Sequence, residues 1–292
     1  MSDTLANLRR KIDGAVKLES VVRTMKAVAA SSIGQYEAAV RSLADYERSV
    51  EFGLSVCFRQ GGAGFLPFKR RKGAEVTGAI VFGSDQGLVG QFNEAMAEFV
   101  EKTLATTPGE KKIWAVGERI YGHLADAGLP LTGQFAVPSS VHAITGLVGQ
   151  LQMAMETQGS ACMKIEVFYT KLTSGAQYEP ITQRLLPLDA QWQKNLIKIQ
   201  WPTKNLPELF GSHETTLRAF IREYLFITLF KACAESLTSE NASRLVAMQR
   251  AEKNIDSLMA DLNRTFYRLR QSSIDEELFD VIAGFNALST KR

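Results

Sequence analysis

Ser212–Leu288 reads SHETTLRAFIREYLFITLFKACAESLTSENASRLVAMQRAEKNIDSLMADLNRTFYRLRQSSIDEELFDVIAGFNAL, with no proline and with Gly284 as its only glycine. A helix over this stretch rises about 1.5 Å per residue and reaches on the order of 110 Å. A compact domain of the whole chain's length has a radius of gyration of only about 19 Å. Such a helix cannot be buried inside one globule, so the stretch predicts a rod that finds partners along its length. Met248, Ala251, Ile255, Leu258, Leu262, Phe266 and Leu269 follow steps of mostly three and four. That is one narrow stripe, as in a coiled-coil seam. A five-residue step from Leu269 to Ile274 then moves the stripe around the helix, and it restarts through Leu278, Val281, Phe285 and Leu288. A partner that grips before this step need not be the partner that grips after it.

The other end of the chain carries a second periodic segment, residues 3 to about 57. Leu5, Leu8, Ile12, Val22, Met25, Ala29, Ile33, Tyr36, Val40, Leu43, Val50 and Leu54 lie near one face. Gly14 and Gly34 weaken this helix by about 1 kcal/mol each against alanine. The run Ala27-Val28-Ala29-Ala30-Ser31-Ser32 is small or β-branched, which lets another helix approach closely. Two rods at opposite ends of one chain pair most simply antiparallel, with the Met25 segment beside the Ser273 to Phe285 region or a turn from it.

Between the rods the pattern changes. Residues 58–75, with Gly61, Gly62, Gly64, Pro67 and Gly73, read as a linker. Lys69-Arg70-Arg71-Lys72 is a basic run without interleaved aromatics, a solvated linker before it is a nucleic-acid or lipid contact. Residues 76–190 alternate strands with helices: strands at Val76–Phe82, Ile113–Val116 and Met163–Thr170, and helices capped by Asn93 and by Ser139 or Ser140. A turn at Ser174-Gly175 leads into Gln177–Leu186. This predicts a Rossmann-like α/β domain with a mostly parallel sheet. A connector, 191–211, leads into the long helix of 212–292. The fold class is therefore α/β: a long antiparallel coiled coil of the N- and C-terminal helices plus that domain.

Composition excludes several classes. The 292 residues carry a formal charge of +3, too small to demand nucleic acid. No run of about 20 apolar residues exists to span a membrane, and the opening MSDTLANLRRKIDGA has no apolar signal-peptide core. Cys57, Cys162 and Cys233 are scattered, giving no disulfide framework or zinc spacing. The loop Gly83-Ser84-Asp85-Gln86-Gly87-Leu88-Val89-Gly90 follows a strand, where phosphate loops sit. It lacks both the three-glycine dinucleotide fingerprint and the Gly-Lys-Ser/Thr ending of a P-loop, so it reads as a structural turn. His123, His142 and His213 form no local metal motif, and Ser84 lacks the flanks of a nucleophile elbow. Glu235 and Glu240 could be paired carboxylates, but on a projecting helix they read as a solvated or interface face. No catalytic site, cofactor or metal is expected.

Three segments together resemble the gamma subunits of F-type ATP synthases. The most specific is Glu235-Ser236-Leu237-Thr238-Ser239-Glu240-Asn241-Ala242-Ser243-Arg244, followed by Ala247-Met248, Ala251, Asn254, Arg268, Arg270-Gln271, Ile274, Glu277, Gly284 and Ala287-Leu288. The others are Met25-Lys26-Ala27-Val28-Ala29-Ala30-Ser31 and Ser84-Asp85-Gln86-Gly87-Leu88-Val89-Gly90-Gln91-Phe92-Asn93. Departures from the family pattern occur at Ser32, Gln86, Val89, Gln91, Phe266-Tyr267, Asp275 and Phe285, as in a divergent bacterial branch. The resemblance implies a central-stalk rotor that couples ion translocation to ATP synthesis or hydrolysis, with no catalytic site of its own. It implies a coiled coil inside a ring of alpha and beta head subunits and an α/β foot on the membrane c-ring beside epsilon. The chain would be peripheral, at the cytoplasmic face of the bacterial plasma membrane. It implies rotor–stator contacts at Met25, Lys26, Arg268, Arg270, Gln271, Asp275 and Glu277, and a tip at Ile282, Phe285 and Leu288 held in a stator sleeve. A coiled-coil signature would lie at Glu240, Asn241, Arg244 and Met248. The rival readings are a Rossmann-like enzyme with helical extensions, and a cytoplasmic coiled-coil scaffold or basic-linker nucleic-acid binder.

Overall fold

The structure, a computed structural model, describes residues 2–61, 76–157, 163–173, 178–205, 207–209 and 211–289. The basic run Lys69–Lys72 and the turn at Ser174-Gly175 lie outside the described residues. In chain order the elements are α1 (Ser2–Gly61), β1 (Val76–Phe82), α2 (Phe92–Ala105), β2 (Glu110–Val116), α3 (Glu118–Asp126) and β3 (Leu131–Phe135). There follow α4 (Val141–Thr157), β4 (Met163–Leu172), β5 (Tyr178–Leu186), α5 (Ala190–Ile197) and α6 (His213–Ser289). The chain divides into two compact units: Met1–Val28 with Leu245–Arg292, and Ala29–Arg244. Both long helices contribute to both units.

The larger unit, Ala29–Arg244, is built on one sheet in the order β3-β2-β1-β4-β5. β1 pairs parallel with β2 and with β4, and β2 parallel with β3, while β5 runs antiparallel to β4. The strand period of two deals residues to opposite faces. Ala79 and Val81 of β1 join Met96, Val100, Ile120 and Leu124 from α2 and α3 on one side. Ile80 and Phe82 join Val148, Leu151, Leu54 and Leu229 from α4, α1 and α6 on the other. With helices on both faces, Gly78–Phe82 of the central strand β1 is a continuous run without polar side chains. In this unit α1 and α6 run antiparallel: Tyr46 donates to Glu223 at 2.8 Å, Lys231 to Glu47 at 3.1 Å, and His213 Nε2 lies 2.7 Å from the Cys57 carbonyl.

Several elements differ from the sequence expectations. α1 runs on to Gly61, and β3 and α5 were not anticipated. Asn93 is not a cap. It sits inside α2, buried, with Oδ1 accepting from the Ser84 amide at 3.0 Å and Nδ2 donating to Ser84 Oγ at 2.8 Å. The loop captures the side chain that would have capped the helix. Ser140 does cap α4, its hydroxyl accepting from Ala143 N at 3.3 Å.

In the smaller unit a strict alternation of four and three runs through the covered positions Met248, Glu252, Ile255, Met259, Leu262, Phe266, Leu269 and Ser273 of α6, flanked by the also partly covered Ala251, Asn263 and Thr265. Those of α1 alternate likewise through Leu5, Leu8, Ile12, Ala15, Glu19, Val22 and Lys26. This is the 3.5-residue repeat of a coiled coil. Leu258, expected in the seam, is exposed, because that repeat falls on Met259 after Ile255. Ser273 continues the seam, while Ile274, Leu278 and Val281 of the restarted stripe are exposed, so α1 does not grip that stripe. The Met25 segment does not lie beside Ser273–Phe285. Lys26 meets Glu252 instead. Counting antiparallel from that contact, the α1 start at Ser2 is level with about residue 276 of α6, so residues beyond it have no α1 neighbour.

Candidate functional site

Residues Glu235–Arg244 of α6 are polar by composition, yet Ser236, Thr238, Ser239, Glu240, Asn241 and Ser243 are all buried. Their partners explain how. Ser239 Oγ donates to the Thr170 carbonyl near the end of β4 at 3.0 Å. Ser243 Oγ donates to the Val89 carbonyl in the loop after β1 at 2.5 Å, with the Tyr178 hydroxyl of β5 at 3.1 Å. Arg244 pairs with Glu240 at 2.6 Å and donates to Asn241 Oδ1 at 3.3 Å, while Asn241 Nδ2 donates to the Leu237 carbonyl. Burial pushes the Glu240 carboxyl up from its ordinary value, against the opposing pull of Arg244. Glu240 Oε2 and Arg244 Nε are buried with no hydrogen-bond partner among the described residues. Of the expected solvated or interface face at Glu235 and Glu240, the solvated alternative does not hold: Glu240 is buried, and its partner is a guanidinium.

β1 lies between β2 and β4, the point where chain connectivity reverses direction across the sheet. In open α/β sheets this crevice, outside the carboxyl ends of the strands, is where ligands bind. Here Ser239 and Ser243 bond to the backbone beside those strand ends, so a face of α6 occupies the place.

The amino terminus of α3 is similarly taken. A helix start attracts anions through its free amides. Asp85 fills that role, Oδ1 accepting from Glu118 N and Oδ2 from Val137 N, each at 2.9 Å. The loop closes tightly: at Gly117, φ is 123°, and a Cβ would sit 2.7 Å from the Ser84 carbonyl oxygen. The adjoining cleft, about 370 Å³, is lined by Asp85, Glu118, Arg119, Gly122, His123 and Asp126. Its three carboxylates disfavour a phosphate. Among the described residues no group of three or more His, Cys, Asp or Glu is placed to hold a metal ion.

The residues singled out from sequence fall into two sets. Glu240, Asn241 and Arg244 form the buried polar face just described, and Met248 is buried in the smaller unit. Arg268, Arg270, Gln271, Asp275 and Glu277 are exposed on α6, and Ile282 is about half exposed. Met25 is partly covered on α1, and Lys26 is engaged by Glu252 at 2.5 Å. Phe285 and Leu288 lie on α6, with side chains outside the described set. Sequence reasoning missed Ser239, Ser243, Tyr178 and Thr170 as one cluster. It also missed Glu252: the expected stripe passed through its neighbour Ala251, and nothing in the sequence moved the seam one residue onto a charge.

A family model described as ATP synthase matches residues 4–288. The chain belongs to the ATP synthase family. It is 23% identical to the ATP synthase gamma chain of Polaromonas naphthalenivorans (strain CJ2), over 96% of this chain and 98% of that one. It is 26% identical to the ATP synthase gamma chain of Picosynechococcus sp., over 97% and 99%. Among solved structures, the Euglena gracilis mitochondrial ATP synthase rotor has a TM-score of 0.67 at 16% identity, covering 94% of this chain and all of that one. The Tetrahymena thermophila mitochondrial central stalk/c-ring structure has a TM-score of 0.58 at 22% identity, over 79% and 99%. These two show the fold. The resemblance carried by Glu235–Arg244, Met25–Ser31 and Ser84–Asn93 thus extends over nearly the whole chain, and the fold class of long terminal helices with a mostly parallel sheet is borne out. Within the family the chain is a gamma-type, non-catalytic subunit.

Proposed function

We propose that the chain is the central rotor of an F-type ATP synthase and that it works by contact rather than by chemistry. One observation carries this reading. Leu18, Val21, Met25 and Val28 of α1 step by three, four and three along a second face, away from the α6 seam, and Leu18, Val21 and Val28 are each more than half exposed. A heptad-spaced apolar stripe left open beside a filled one belongs on a helix pair made to be enclosed by other chains. The relatives' names and the rotor and OSCP/F1/c-ring assemblies of the similar structures support the same partners: alpha and beta head subunits, epsilon and the c-ring. The complex would hold this chain peripherally, at the cytoplasmic face of a bacterial plasma membrane, with a proton or sodium ion as coupling ion.

The mechanism is differential binding. As the pair turns, each catalytic subunit meets a different face: the aliphatic stripe of α1, or the Arg268–Gln271 surface of α6. Each face stabilises a different open or closed state and shifts the population accordingly. Arg270 and Gln271 stand about 100° apart around α6, and their exposed side chains make no hydrogen bond or ion pair among the described residues. Arginine offers a planar fork for a carboxylate, and glutamine both donates and accepts, so the pair suits a contact that forms at one angle and breaks at the next.

Co-expression with the alpha and beta subunits of the same source tests the assignment. One copy of the chain per head complex is expected, and a chain that never joins that complex refutes it. In the assembled complex, Arg270→Ala with Gln271→Ala should leave the helix intact, alanine being the best helix former, while lowering ATPase turnover or pumping. Wild-type turnover and pumping at wild-type assembly would remove these two residues from the contact and leave torque to the apolar surface.

A further inference from the structure

Lys26 and Glu252 stand in the seam of the smaller unit. On α1, Lys26 lies between the buried Val22 and Ala29, and on α6, Glu252 lies between Met248 and Ile255. Lys26 Nζ donates to Glu252 Oε2 at 2.5 Å, and Arg23 Nε lies 3.6 Å from Glu252 Oε1. Arg23 also donates to Glu19 at 2.5 Å. The side chains of Lys26 and Glu252 are only 33% and 21% exposed. Among the described residues of this unit, Glu252 is the one carboxylate that links the two helices.

We infer that Lys26 and Glu252 are positioning residues that fix the register of the helix pair, and that Lys26 is spent inside the chain rather than on the stator. The reasoning begins with the repeat. A strict alternation of three and four makes positions seven residues apart equivalent, so apolar packing alone distinguishes poorly between registers a heptad apart. A charge in the seam breaks that equivalence. Shifted by one heptad, Lys26 would face Leu245 or Met259, and its ammonium would be partly buried with no partner. Leaving one member of a covered ion pair alone costs more than the pair contributes. Arg23 extends the same logic: it bridges Glu19 on its own helix and Glu252 on the other, so the carboxylate is held from two sides. The hydrogen bond from Lys26 also holds the Glu252 carboxyl below its ordinary value. Register in turn sets the heights at which Leu18, Val21 and Val28 of α1 and Arg268 and Arg270 of α6 face outward. The link to activity rests on the rotor reading above, whereas the link to register does not.

Charge reversal in the assembled complex separates the two roles of Lys26. Lys26→Glu sets two carboxylates against each other and should lower coupled pumping by about fivefold. Glu252→Lys should do the same. The double reversal, Lys26→Glu with Glu252→Lys, should recover activity to within about twofold, since the pair is rebuilt. If Lys26 instead met a head carboxylate, the double variant would stay as low as Lys26→Glu, and the inference would be wrong. A second arm reads register in the full chain alone. Val22→Cys is combined with Ile255→Cys, in register, or with Leu262→Cys, one heptad away. With Lys26 and Glu252 present, only the first pair should form a disulfide; with both replaced by alanine, both pairs should. If the shifted disulfide never forms, the apolar seam alone fixes the register. Failure of the unaltered chain to assemble with head subunits would count against the rotor reading and leave the disulfide arm decisive.

Discussion

Glu240 and Arg244 show how a polar signature becomes structure. The two residues are one helical turn apart, and in solvent such a pair contributes a few tenths of a kcal/mol. Here the Glu240 side chain is 6% exposed and that of Arg244 13%. Removing the guanidinium therefore strands a carboxylate that burial already pushes toward protonation. Arg244→Met should cost about 3–5 kcal/mol of stability, against a much smaller cost when Glu240→Leu accompanies it. Urea denaturation of the full chain measures both, and equal costs would mean that the pair is not the unit of stability. Tyr36 and Asp85 lie within electrostatic reach of this pair and the Val89 carbonyl bonds the neighbouring Ser243, and all three come from distant parts of the chain. Charge, spacing and composition at 235–244 are those of an exposed helix face. Nothing local to the segment signals its burial, which is why the residues were legible as a motif and their physical role was not.

At the scale of the element, α6 changes environment along its length without changing conformation. Up to Ser243 it packs in the larger unit, and from Met248 to Ser273 it keeps a seam with α1. Beyond that, Ile274 is 54% and Phe279 71% exposed. Ending the chain at Glu276 should thus leave its melting temperature within about 2 °C of the full chain, because the segment removed buries little apolar surface. A large drop in calorimetry would show that the tip packs on the chain itself. The existence of both long helices was readable from missing prolines and apolar spacing, and β1 was bounded correctly as Val76–Phe82. The errors have local physical causes. Leu258 and Met259 are adjacent and both apolar, so sequence offers either to the seam, and only the 3.5-residue repeat chooses. β3 was missed because Leu131-Thr-Gly-Gln-Phe is an edge strand with alternating half-exposure and no apolar run. α5 did carry a signal: Asp189 accepts from Trp192 N at 2.8 Å as an N-cap, eclipsed in the reading by the prolines that follow.

For the whole molecule, each of the two positions where an α/β fold takes a nucleotide is already held by the chain. The anion site at the start of α3 contains the Asp85 carboxylate, bonded through both oxygens. A phosphate would have to displace it and then face Glu118 and Asp126 across the same cleft. The crevice at the ends of β1 and β4 is held by Ser239 and Ser243 of α6. Opening it would expose the buried Glu240 and break hydrogen bonds that contribute about 1 kcal/mol each. A fold that elsewhere binds a cofactor is here used to grip a helix. The chain on its own should therefore not bind ATP or ADP at micromolar concentration, with or without magnesium, and should not hydrolyse ATP. Isothermal calorimetry of the full chain checks the first, and a phosphate-release assay the second. Asp85→Asn makes the test sharper: it removes the occupying charge while keeping a side-chain oxygen acceptor for one amide. If this variant gains no affinity, the crevice face of α6 is sufficient to exclude nucleotide. Stoichiometric micromolar binding by the unaltered chain would contradict the account of both positions.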